Sequence, residues 1–321
     1  MNINRIFVRS PVLQTIAASL LLFFCLGLRD AFGQIPSTEE ILERAAKERQ
    51  AYTREFRNLT ATETKYFEIY GKDGEPKKQR VVKAMFIILQ PNGSEVGEEF
   101  RHVLEVDGKP IPGSDVRARK FFEKTASSEA KERKRIYDES LRFDLGIFIN
   151  GLTRSTSPVL EKRIWPFFSY VPGEIENLSG RNVYKITFQQ TRPCPLIWVN
   201  RQPRSKSVAP VLVYDIGLPD YLPMNEKVSG TLFIDADTFQ LVREERKLTI
   251  FPAGFSAPIL VDENVIEFKA SPFGIRTPTS ILHTNYEIRF KEKRSTKRAV
   301  VRLTYSSFSK PQVEVRSGIE P

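Results

Sequence analysis

Cysteine, histidine, tryptophan and methionine are scarce: 321 residues hold two, two, two and three of them. One cysteine, Cys25, sits in an apolar N-terminal run, which leaves Cys194. A chain trimmed of that run has no intramolecular disulfide and must rest on apolar burial. With only His102 and His283, far apart on separate predicted strands, a zinc site lacks nitrogen and sulfur ligands. Also missing are a Gly-x-Ser-x-Gly elbow, a phosphate-cradling loop, a dinucleotide fingerprint and any repeat of solenoid length. Cys194 lies between Pro193 and Pro195 with no neighbouring base to activate it. His102 falls on the apolar side of its strand and reads as a core histidine, whereas His283 alternates with polar neighbours and reads as surface. Asp235 and Asp237 could suggest acid–base work or calcium, but turn roles suffice for both. The sequence therefore assigns no catalytic residue, no metal ligand and no cofactor, and the expectation is a non-enzyme.

What is present is charge and apolar alternation. Lys and Arg outnumber Asp and Glu by 49 to 39, a formal net charge of +10, and 40% of residues are hydrophobic. Arg5 and Arg9 precede the apolar run Ile16–Leu28, and Ala31-Phe32-Gly33 supplies small residues for cleavage after Gly33. Residues 1–33 thus read as a secretory leader and the chain as periplasmic, with an uncleaved anchor as the alternative. The run falls short of the ~20 residues that span a bilayer comfortably. Phe24 before Cys25 departs from a lipobox, so Cys25 reads as part of the leader. Cleavage removes three basic residues and one acidic one, leaving 46 against 38, or +8. Such a surplus permits attraction to anionic headgroups or nucleic acid. Export excludes nucleic acid and leaves at most peripheral membrane contact; a solvated basic surface is the plainer reading.

Ser37 with Glu40 forms a capping box, and Ile41, Ala45, Tyr52, Phe56 and Leu59 recur at near-helical spacing, predicting a helix over 38–57. From Thr60 the period becomes two. Strands are expected at Ala61–Tyr70, Gln79–Leu89 (Val82, Ala84, Phe86 and Ile88 on one face) and Glu98–Val106 (Phe100, His102, Leu104 and Val106 on one side). Turns are expected at Lys72-Asp73-Gly74, Pro91-Asn92-Gly93 and Asp107-Gly108. Ser114 can cap a charged helical region reaching Ser140, with Phe121, Phe122, Thr125, Ile136 and Tyr137 as its patchy apolar side. A short buried helix is expected over Leu141–Leu152. Ile164–Tyr170 fits a lid or a core strand equally well. Asn182–Gln190 alternates, and Thr191–Pro210 reads as an extended loop or a proline-bounded edge strand.

The most legible stretch is Val228–Ile250, two strand-like runs around Ala236-Asp237-Thr238-Phe239, with Leu232 and Ile234 on one face and carboxylates suited to the corner. Strands follow at Asn264–Ala270 (Ile266 with Phe268), at His283–Lys291 (Thr284, Tyr286, Ile288 and Phe290 on one face) and beyond the turn Glu292–Thr296 (Ala299, Val301, Leu303 and Tyr305), then a closing strand through Val315. About ten strands joined as hairpins and two or three helices predict an α+β fold: one large curved antiparallel sheet whose apolar face the helices cover.

Gly-x-Leu-x-Ile-Asp, a short turn and Leu-Val-Arg within Gly230–Arg243 resemble the hairpin of the bacterial lipoprotein-carrier superfamily, LolA/LolB-like and including outer-membrane lipoprotein-sorting proteins. Phe100–Pro110 followed by a charged helix, and Tyr305-Ser306-Ser307-Phe308, resemble it too. The resemblance implies that residues 34–321 form one incomplete β-barrel around an apolar cavity, with a helical insertion at about 114–152 and the Thr191–Pro210 loop as departures from compact carriers. It implies a monomeric carrier of a lipid, acyl chain or lipoprotein. The lining is then Phe86, Ile88, Tyr184, Ile186, Phe188, Leu232, Ile234, Tyr286, Ile288, Phe290, Val301 and Leu303. The alternative is an envelope module with a filled core that binds a protein partner.

Overall fold

The computed structural model describes residues 35–90, 97–147, 149, 151–154, 156–199, 210–214, 216, 224–252 and 254–311. The expected leader, the Pro91-Asn92-Gly93 turn, the second half of the proline-rich segment and the strand end beyond Pro311 lie outside the described residues.

Helix α1 (Thr38–Glu55) starts where Ser37 accepts a hydrogen bond from the Glu40 N–H. Its stripe Ile41, Leu42, Ala45 and Tyr52 is buried, and its charged face points outward, as amphipathic spacing demands. Then come β1 (Leu59–Tyr70), β2 (Pro76–Leu89), β3 (Glu98–Val106) and the two-residue β4 (Lys109–Pro110). Asp107 and Gly108 both have positive φ, as a two-residue primed turn requires. The insertion follows as three helices: α2 (Ser114–Arg119), α3 (Phe121–Ser127) and α4 (Ala130–Ser140). Gly113, not Ser114, occupies the N-cap of α2; the Ser114 hydroxyl instead donates to the Leu104 carbonyl.

Beyond α4 the expected helix over Leu141–Leu152 shrinks to one 3-10 turn, Leu141–Phe143. Leu145, Gly146 and Gly151 all adopt positive φ, which ends helical geometry. Short 3-10 turns at Pro158–Leu160 and Lys162–Phe167 lead into β5 (Phe168–Leu178). Of the segment open between lid and strand, residues up to Phe167 form a 3-10 turn that buries Ile164, and a strand begins at Phe168. Then come β6 (Arg181–Gln190), β7 (Ile197–Val199), β8 (Leu212–Tyr214), β9 (Met224–Asp235), β10 (Leu241–Pro252), β11 (Ile259–Ala270), β12 (Arg276–Arg289) and β13 (Arg294–Ser309).

Eleven strands form one open antiparallel sheet in the order β4-β3-β2-β1-β13-β12-β11-β10-β9-β6-β5, and the two ends do not meet. Pairing of β1 with β13 joins the N-terminal meander to the C-terminal one. The β9–β10 corner forms as its sequence suggests: Asp235 accepts from the backbone N–H of Asp237 and Thr238. Strands β7 and β8 make a separate parallel pair that buries Cys194, Leu196 and Ile197 in the main core, rather than an edge strand.

The helices divide between the two faces. Helix α1 lies on the concave side, in the core that holds Phe86, Phe188, Leu232 and Val301. The insertion packs on the opposite side, where Phe121 and Ile136 meet Ile87, Leu89 and Phe100. Both faces of β2 and β3 are therefore covered. The predicted apolar side of β3 splits at a register shift: Phe100 is buried on the outer face and His102 stacks there on Phe121 with Nε2 2.9 Å from the Ser114 carbonyl, whereas Val106 packs against the main core.

Candidate functional site

Direct antiparallel partners project to the same face, so the pairings fix what lies inside. One row across the sheet reads Ile186, Leu232, Glu244, Ile266, Ile281, Leu303 and Lys65. The next reads Phe188, Gly230, Arg246, Asn264, His283, Val301 and Phe67. Gly230 leaves room for the Phe188 ring: a Cβ there would stand 2.6 Å from Phe188 Cζ and 1.9 Å from the Glu245 carbonyl oxygen.

Eight of the residues expected to line a cavity (Phe86, Ile88, Ile186, Phe188, Leu232, Ile234, Val301 and Leu303) sit fully buried in the main core, and Tyr184 and Ile288 pack at its margin. Tyr286 and Phe290 do not join them. Alternation from Ile281 and His283, which face inward, sends Tyr286 to the opposite face, where its hydroxyl donates to Glu263; the register shift beside it places the extra residue, Arg298, in β13. Phe290 falls past the strand end in a 3-10 turn and is 41% exposed. The same frame corrects His283. It faces inward, with Nδ1 2.9 Å from Asn264 Oδ1 and 3.5 Å from the Asp262 carboxylate.

The concave face is covered by three pieces that belong to no part of the large sheet: α1, the irregular segment 141–167 and the β7–β8 pair. Polar ties fasten them. Lys65 Nζ lies 2.7 Å from both oxygens of Asp144. The Thr153 hydroxyl donates to Glu99 at 2.6 Å, while its carbonyl accepts from Tyr52 at 2.6 Å. Arg49 on α1 reaches Glu161 at 2.7 Å, and the Tyr170 hydroxyl donates to the Val159 carbonyl.

Charge inside the core is the feature that apolar alternation hid. Arg101 donates to Glu63 at 2.6 and 2.9 Å and to Glu99 at 3.1 Å, all three nearly inaccessible. Burial pushes the Glu99 carboxyl up, but Arg101, Arg154 and the Thr153 hydrogen bond outweigh it and hold it below the usual range. Burial also drives Asp144 up and Lys65 down, against the attraction of each for the other. Across the sheet Arg246 donates to Glu244 at 2.8 Å, beside Tyr214, Asp262 and Asn264. A signal for these groups was present. Glu63/Lys65, Glu99/Arg101 and Glu244/Arg246 are opposite charges two apart, which a strand places side by side on one face.

Between α1 and the covering segment a small cleft, roomy enough for little more than a water molecule, opens at the rim. Tyr52, Leu160, Leu241 and Ile275 form its apolar floor, and Arg49 and Arg276 stand at its edge. Arg276 is held 2.7 Å from Asp235, and Arg49 is held by Glu161. Cys194 is fully buried. Among the described residues no cluster of three or more His, Cys, Asp or Glu is placed to hold a metal, and no helix is long and apolar enough to cross a membrane.

No protein-family model matches the sequence, and no curated protein does. Solved structures do. A candidate outer membrane lipoprotein-sorting protein domain from Vibrio parahaemolyticus is 12% identical, covering 88% of this chain and 95% of that one at a TM-score of 0.37. A DUF1329 family protein from Desulfovibrio piger is 11% identical (85% and 94% covered, TM-score 0.29). A LolA superfamily protein from Nitrosomonas europaea is 11% identical (87% and 95% covered, TM-score 0.27). At such identities the likeness is one of shape alone, and any role must be argued from this chain's own side chains.

Proposed function

We propose that the chain is a non-enzymatic binder of an acyl chain, as part of a lipid or a lipoprotein, in the bacterial cell envelope. One observation carries the reading. The apolar concave face of an open sheet is closed by α1, segment 141–167 and the small two-stranded β7–β8 pair, not by a second large sheet. A guest chain gains access when that cover moves, and the cleft between Tyr52, Leu160 and Leu241 is where separation begins. Each methylene buried contributes about 0.8 kcal/mol, so a long chain can offset the loss of cover contacts without polar chemistry. The side chains capable of chemistry that the sequence singled out have structural surroundings: His102 on Ser114, His283 on Asn264, Cys194 inside the core.

A second reading has its own support. Phe188, Ile186, Leu232 and Ile234 are wholly inaccessible, which suits a filled core in a module that docks a protein partner. Native mass spectrometry of the protein purified from an envelope extract separates the two. The expected result is a reproducible adduct of lipid mass that organic extraction removes. A bare mass, with a stoichiometric protein captured by cross-linking, would replace the first reading with the second.

A further inference from the structure

One end of the sheet carries a surface that neither reading uses. The β1–β2 turn, the β12–β13 turn and the β10–β11 connection all lie there, because β1, β11, β12 and β13 run antiparallel in register. Segments 71–78 and 290–298 hold eight Lys or Arg (Lys72, Lys77, Lys78, Lys291, Lys293, Arg294, Lys297 and Arg298) against Asp73, Glu75 and Glu292. All eight are exposed. Among this charge stand aromatic rings: Phe251 is 42% and Phe290 41% exposed, and Phe290 meets Phe255 edge-on at 6.0 Å. Lys297 Nζ lies 5.1 Å from the Tyr70 ring centroid.

We propose that this rim docks the protein on the surface of an anionic lipid bilayer. Phenylalanine rings are held at the headgroup boundary while neighbouring Lys and Arg side chains extend to the phosphates. Among the described residues the rim consists of strand ends and turn tips. A bilayer asks for no complementary shape, only for apolar tips set in positive charge. The inference does not depend on the acyl-chain reading, since Phe251, Phe290 and the eight cations lie outside the concave core.

Vesicle flotation tests it, using secreted protein whose N terminus intact mass has fixed. Vesicles of phosphatidylcholine mixed with phosphatidylglycerol are expected to bind the protein about tenfold more tightly than phosphatidylcholine alone. Phe251→Ser with Phe290→Ser, and separately Lys291→Glu with Lys293→Glu, should each weaken binding to the anionic vesicles about tenfold. These side chains are exposed, so circular dichroism should match the parent's. Equal binding to both vesicle types, or none to either, overturns the proposal. So does binding that the phenylalanine pair leaves unchanged, since that is plain electrostatic adsorption; native mass spectra then still decide the acyl-chain reading.

Discussion

Replacing Arg101 by Met tests the physics of the interior most directly. Arg101 bonds two buried carboxylates, Glu63 and Glu99, and Met keeps most of its length without the charge. Removing one partner of a buried ion pair costs about 3–5 kcal/mol, because the remaining charge is left uncompensated. At roughly 2–4 °C per kcal/mol for a chain of this size, the melting temperature should fall by roughly 6–20 °C. The pH dependence gives a sharper signature. In the parent, Glu99 is held below its unfolded value. Its stabilising contribution is therefore present above about pH 4.3 and lost as pH falls through the folded value. Without Arg101 the largest opposing influence is gone and only Arg154 and hydrogen bonds from Thr153 and Gly151 still oppose burial, so Glu99 should rise and the variant should lose stability as pH rises from 5 to 8. Urea denaturation followed by circular dichroism across that range measures both. A loss under about 1 kcal/mol, or a variant no more stable at pH 5 than at pH 8, would show that water or another cation compensates the cluster and refute the reasoning.

Gly230→Val should lower the yield of folded protein severely, at a cost above roughly 3 kcal/mol, because the added Cβ meets a backbone carbonyl that cannot give way; soluble expression and thermal melting read this. Phe121→Ala removes the aromatic anchor of the insertion on the outer face, at roughly 3–5 kcal/mol if the site does not collapse. Limited proteolysis should then cut between Gly113 and Ser140 first, while an acyl-chain adduct survives. Asp235→Asn should cost about 1–3 kcal/mol by weakening the Arg276 pair and the corner at Asp237 and Thr238. The parent Asp235 is held low by its hydrogen bonds and Arg276 against the upward push of burial. The parent's advantage should therefore vanish as pH falls below about 4, which acid titration of both proteins by fluorescence checks. Phe188→Asp and Ile288→Asp should each abolish lipid adducts if those side chains line the bound chain; retained adducts in folded protein would refute that lining.

Strand positions, the capped α1 and the β9–β10 corner were legible because each is written in local pattern: alternation, the Ser37/Glu40 pair and Asp235 at the turn. The antiparallel class followed from hairpin after hairpin with one apolar face. Tertiary structure decided the rest. Only assembly covers both faces of β3, so the choice of Phe100 and His102 over Glu99 and Arg101 as the inner set had no local answer. Alternation offered β12 two faces, and only its pairing with β11 and β13, His283 to Asn264 and to Val301, turned His283 inward and Tyr286 away. Leu141–Leu152 held enough apolar residues for a helix, yet positive φ at Leu145 and Gly146, with Asp144 drawn to Lys65, unwound it. Alternation determines which residues share a face. Which face is inside, and what covers it, depends on segments distant in sequence that meet only when the sheet curls.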